Sequence, residues 1–116
     1  MTRAVLAALL IAATTPALAQ VSAVEGNWAC RANIDGTKAG ILTIYAGSYG
    51  YASANFNSPA SGTGNATMYS DGIQFIDGNI LQGAGIEVGV LSFDTEGKDI
   101  LTLSTKEKPV LTCVPR

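Results

Sequence analysis

The sequence predicts an all-β domain: an antiparallel meander of about eight short strands that closes into a small barrel or a tight sandwich. Three observations carry this expectation. Short β-branched and aromatic runs alternate with clusters of Gly, Asp, Asn and Ser, and no stretch sustains a 3.6-residue apolar period. Asp35-Gly36, Asp71-Gly72, Asp77-Gly78 and Glu96-Gly97 place glycine where a tight turn wants positive φ, with an acidic side chain ready to close it. Cys30 and Cys113 stand near opposite ends of the chain, so a single bridge would draw the first and last strands together.

The chain opens with MTRAVLAALLIAATTPALAQ, in which Arg3 precedes an apolar run and Ala17-Leu18-Ala19 follows a break at Pro16. This reads as a secretory signal peptide, residues 1–19, cut after Ala19. Its apolar run is too short to cross a hydrocarbon core, which needs roughly twenty helical residues. Residues 20–116 then form one domain outside the cytoplasm, periplasmic or secreted, with no transmembrane segment. An oxidising compartment gives the cysteine pair its meaning: one structural disulfide, Cys30 to Cys113, stabilising by roughly 4 to 5 kcal/mol on the chain-entropy argument.

Strands are expected, in order, at residues 26–32, 39–46, 49–54, 66–70, 73–76, a short one at 79–81, then 86–94, 99–104 and 109–114. Connections this short make neighbours antiparallel. Parity then assigns faces. Trp28 and Cys30 share one face of the first strand and Leu111 and Cys113 one face of the last, so an internal disulfide takes Trp28 and Leu111 inside with it. Tyr49 and Tyr51 also share a face, both inward or both outward. Residues 52–67, ASANFNSPASGTGNAT, break the strand rhythm and are expected to be an exposed loop, a candidate contact loop.

Composition excludes several chemistries. Seven Lys and Arg against nine Asp and Glu, net charge −2, leave no cationic footprint for nucleic acid. There is no histidine, hence no imidazole base, no Ser-His-Asp triad and no His-liganded zinc. Asp71 and Asp77 are the nearest approach to an acid–base pair, but both precede turn glycines. The calcium-loop pattern, the G-x-S-x-G elbow and the S-x-x-K spacing are missing. No catalytic residue, metal site or cofactor is therefore assigned. Asn65-Ala66-Thr67 is formally a glycosylation sequon.

The aromatic residues are the candidate binding set. Trp28, Tyr45, Tyr49, Tyr51, Phe56 and Tyr69 all fall before residue 70, and a barrel mouth lined by Tyr and Trp suits a small apolar or aromatic ligand. The alternative is that they fill the core and pleats of the first strands.

Gly26-Asn27-Trp28, followed by Asp35-Gly36, Leu42-Thr43-Ile44, Gly47 and Tyr49-Gly50-Tyr51, resembles the opening of calycin-type barrels. Lipocalins and avidins open with G-x-W, and a family of exported metalloprotease inhibitors on the same kind of barrel has an early Trp and one disulfide. The resemblance covers residues 26–51 and implies an eight-stranded barrel. It lacks the further tryptophans of the avidin biotin site.

Three functions follow as expectations. The first is a non-enzymatic exported binding module that holds a small ligand or a protein partner. The second is a periplasmic protease inhibitor acting through residues 20–25, QVSAVE. The third is an envelope protein that forms homo-oligomers through outward apolar residues such as Ile41, Tyr45, Val110 and Val114.

Overall fold

The structure, a computed structural model, describes residues 23–116. The expected signal peptide, residues 1–19, and the first residues of the segment that follows it lie outside the described residues. Eight strands form one closed antiparallel barrel in chain order. They are β1 (Gly26–Ala32), β2 (Lys38–Tyr45), β3 (Ser48–Ser53), β4 (Gly62–Tyr69), β5 (Gly72–Phe75), β6 (Val88–Phe93), β7 (Asp99–Ser104) and β8 (Pro109–Pro115), with a single helical turn, α1 (Asn79–Gln82), between β5 and β6. The barrel, not the sandwich, is the architecture, because β8 pairs with β1 and leaves no open edge.

At that seam Cys30 lies directly opposite Cys113, bonded to it, with the two Cα atoms 4.0 Å apart. Both are buried, and Trp28 is buried on the same face, as parity requires. Leu111 is half-buried and packs against the core from the same strand face. Inward residues of β2, β5 and β7, among them Leu42, Ile44, Ile73, Phe75, Leu101 and Leu103, fill the interior. Fully buried Val24 sits ahead of β1, and its carbonyl accepts a hydrogen bond from Trp28 Nε1 at 2.9 Å.

The topology gives the barrel two ends. The lower end carries the start of β1 and the β2–β3, β4–β5 and β6–β7 turns, with Val24 beneath Trp28. The upper end carries the β1–β2 turn, the loop of residues 54–61, the segment 76–87 with α1, and the β7–β8 turn. Fully buried Ile80 of α1 joins the core at that end. Residues 79–81, expected as a strand, are therefore helical; four residues are too few to show a period of either kind.

The expected loop of residues 52–67 also needs correction, since residues 62–67 belong to β4. Its inner face is nearly bare because β3 brings large rings against it. Tyr49 is paired with Gly64 and Tyr51 with Gly62. A Cβ on Gly64 would stand 2.6 Å from the Tyr49 ring, so glycine there makes room for an aromatic neighbour.

Gly72 is a second such place. The sequence suggests a positive-φ turn glycine, but Gly72 has ordinary strand backbone and is buried, and a Cβ would lie 2.4 Å from the Gly89 carbonyl oxygen on β6. Gly36, Gly78 and Gly97 do have positive φ. Asp35 closes its turn by accepting from the Thr37 N–H at 3.0 Å and the Thr37 hydroxyl at 2.7 Å. At Gly97 the closing carboxylate is Asp94, not Glu96; it accepts from Glu96 N–H at 2.8 Å and Lys98 N–H at 2.9 Å.

Candidate functional site

Of the six candidate aromatics, the structure brings Trp28, Tyr49 and Tyr51 into the interior and leaves Tyr45, Phe56 and Tyr69 on the outside. The three buried rings do different things. Trp28 closes the lower end through Val24. Tyr49 packs edge-on against Phe75 at 5.0 Å between ring centres, donates its hydroxyl to the Asp77 carbonyl at 2.8 Å and accepts from Ile80 N–H at 3.2 Å. Burial raises its pKa above the ordinary tyrosine value. Its polar capacity is thus spent on fastening the upper cap.

Tyr51 is different. Its ring crosses to β2, where the hydroxyl sits over Gly40, so close that a Cβ on that residue would stand 2.7 Å from the oxygen. Only 6% of the residue is exposed, and the hydroxyl has no hydrogen-bond partner among the described residues. Burial alone raises its pKa, so it remains a neutral O–H donor.

Tyr51 forms part of the wall of a cleft of about 500 Å³, open to solvent at the upper end. Ala39, Ala60, Ile86 and Leu111 supply an apolar lining, and Lys38, Asn55 and Ser58 bring polar groups. Three elements meet there: the start of β2, the loop of residues 54–61 and the end of the α1 segment. Phe56 stands fully exposed on the same loop, at 101% relative accessibility, and does not line the cleft. The loop is anchored by local bonds: Ser53 Oγ accepts from Asn55 N–H at 3.1 Å, and Ser58 Oγ from Ala60 N–H at 3.2 Å.

The remaining candidates fall apart in space. Asp71 and Asp77 lie at opposite ends of β5, so they form no carboxylate pair. Asp77 accepts from the main-chain N–H of Asn65 at 2.7 Å and from its Nδ2 at 3.0 Å, and these bonds hold its carboxyl below the ordinary aspartate range. The sequon asparagine is thereby engaged in a cross-strand latch. Among the described residues no group of three His, Cys, Asp or Glu side chains converges on a point, and no helix is long and apolar enough to cross a membrane. Ile41 and Val114 flank Ala29 on the outer face of β2, β1 and β8, and Tyr45 is exposed lower on β2, whereas Val110 borders the upper cleft.

The signal that sequence reasoning lacked was the partners of Tyr51. Ala60, Ile86 and Lys38 are far apart in the chain and individually unremarked, and only closure of the barrel assembles them. No known protein family, curated protein or solved structure gives a significant match to the chain.

Proposed function

We propose that this protein is an exported, non-enzymatic binding protein whose disulfide-closed barrel presents a small-ligand cleft at its upper end. The observation that carries this reading is that buried Tyr51, whose hydroxyl has no hydrogen-bond partner among the described residues, lines an open cleft with apolar walls. A hydroxyl without a protein partner keeps its hydrogen-bonding capacity for whatever occupies the cleft. The cleft volume, about 500 Å³, falls in the range of small-molecule sites, roughly 300 to 1,000 Å³. Export is supported by the leader-like residues 1–19 and by the Cys30–Cys113 bridge. The eight-stranded barrel with a buried tryptophan in its first strand supports the calycin-type likeness.

The geometry favours the cleft over an inhibitory N-terminus. Val24 of that segment is fully buried, and Glu25 accepts from the Ala46 N–H at 2.8 Å, so both are bound to the barrel itself.

Native mass spectrometry of the protein purified without denaturant tests the reading. The expected result is a co-purifying small mass that is lost in Ala84→Trp, a substitution at the exposed rim of the cleft. Wild-type protein that carries no added mass and gains none on incubation with an extract of its source compartment overturns it.

A further inference from the structure

We infer that the cleft selects a carboxylate carried on an apolar body, an anionic amphiphile, in preference to neutral or cationic molecules of the same shape. This rests on the cleft being a ligand site and names the chemical class that fits it.

Each polar side chain that lines the cleft, Ser53 apart, keeps an unused donor. The Tyr51 O–H has no partner among the described residues. Ser58 Oγ already accepts from the Ala60 N–H, which leaves its hydroxyl hydrogen to give. Asn55 Oδ1 already accepts from the Asn57 N–H at 3.0 Å, which leaves its Nδ2 hydrogens. Lys38 contributes an ammonium that pairs with no carboxylate among the described residues. Ser53, the remaining hydroxyl, is spent, accepting from Asn55 and donating to the Ala39 carbonyl at 3.4 Å. No Asp or Glu lines the cleft, although the chain has nine acidic residues against seven basic ones.

Such a set discriminates by sign. A carboxylate accepts from several donors at once and meets the Lys38 ammonium. An alcohol gains only neutral hydrogen bonds. An ammonium finds no carboxylate in the lining and faces the like charge of Lys38.

The register fixes where the head group sits. Lys38 is two residues before Gly40 on β2, about 7 Å along the strand, and the Tyr51 hydroxyl lies over Gly40. A flexible lysine stem spans that distance, so one carboxylate can accept from both Tyr51 and Lys38. The apolar body then extends over Ala60, Ile86 and Leu111, whose aliphatic surfaces offer it no hydrogen bond.

The test is an NMR titration of the purified protein with decanoate, decanol and decylammonium at neutral pH, reading amide shifts and dissociation constants. Decanoate is expected to shift the amides of Ala39, Ala60, Ile86 and Leu111 and to bind roughly tenfold more tightly than decanol, the value of one charge-assisted hydrogen bond. Decylammonium should be the weakest. Lys38→Met, at an exposed position, should abolish the preference for decanoate over decanol. Tyr51→Phe should weaken decanoate severalfold with the amide spectrum of the barrel preserved. Equal binding of decanoate and decanol at these residues, or no effect of Lys38→Met, overturns the anionic class and leaves the cleft as a ligand site. Absence of shifts there with all three overturns both.

Discussion

Tyr49 on β3 donates its hydroxyl to the main-chain carbonyl of Asp77 at 2.8 Å, 28 residues away in sequence. The same oxygen accepts from the buried N–H of Ile80 at 3.2 Å. One side chain in the barrel wall therefore satisfies both main-chain groups where the cap turns from β5 into α1. Tyr49→Phe leaves both unpaired and should cost about 1 to 3 kcal/mol. Urea unfolding followed through the fluorescence of Trp28 measures it. Hydrogen exchange at Ile80 should rise by more than exchange at Leu42, because the loss falls first on the cap.

The disulfide joins positions separated by 83 residues. Opening it by the double substitution Cys30→Ala with Cys113→Ala should destabilise the fold by about 4 to 5 kcal/mol, the loop-closure entropy returned to the unfolded chain. That is a large share of the stability of a domain of this size. Thiol titration of the native oxidised protein should find no free thiol.

Acid should unfold the protein through three aspartates. Asp35, Asp77 and Asp94 are each held below the ordinary carboxylate range, chiefly by main-chain N–H groups of Thr37, Asn65 and Lys98 respectively. These bonds exist only in the fold, so the unfolded chain binds more protons near pH 4. The stabilisation is complete above that pH and is lost as pH falls through the folded-state values. Asp77→Asn should lower stability at neutral pH and make its acid loss shallower; urea midpoints measured across pH 2 to 7 check both.

Ala46 and Gly72 should respond to substitution in opposite directions, with Gly50 as a neutral third position. Ala46 occupies the left-handed region at φ 52° in the β2–β3 turn, where an L-residue is disfavoured by roughly 1 to 2 kcal/mol. Ala46→Gly should therefore stabilise, by up to about 1 kcal/mol after the added freedom of the unfolded chain is subtracted. Gly72→Ala should destabilise by about 1 to 3 kcal/mol, since its Cβ meets the rigid main chain of Gly89. Gly50→Ala is the control. Its Cβ would stand 3.8 Å from Thr63 Cγ2, an ordinary contact, and little change is expected. Thermal melts of the three variants separate these outcomes.

Much of the barrel is legible along the chain. β1 and β7 have the bounds that their alternation predicts, and Trp28 shares the inner face with Cys30 because both are local consequences of a two-residue period. The parity of Tyr49 and Tyr51 is equally local. β4 is not legible. Gly62 and Gly64 look like loop residues, and their reason for being small is the pair of tyrosine rings on the neighbouring strand. α1 is hidden for another reason: its stability comes from Ile80 entering the core and from the bond to Tyr49, not from any helical pattern in four residues.

The sequence by itself determined an all-β chain, the cysteines that could close it and the faces that its aromatics share, because strand period and turn chemistry act between near neighbours. Tertiary structure alone decided which tyrosine is spent and which is available. Tyr49 finds Asp77 and Ile80 across the barrel, while the Tyr51 hydroxyl, over Gly40, has no hydrogen-bond partner among the described residues. Hydrogen-bond satisfaction depends on atoms brought together by closure, and no spacing along a strand encodes it.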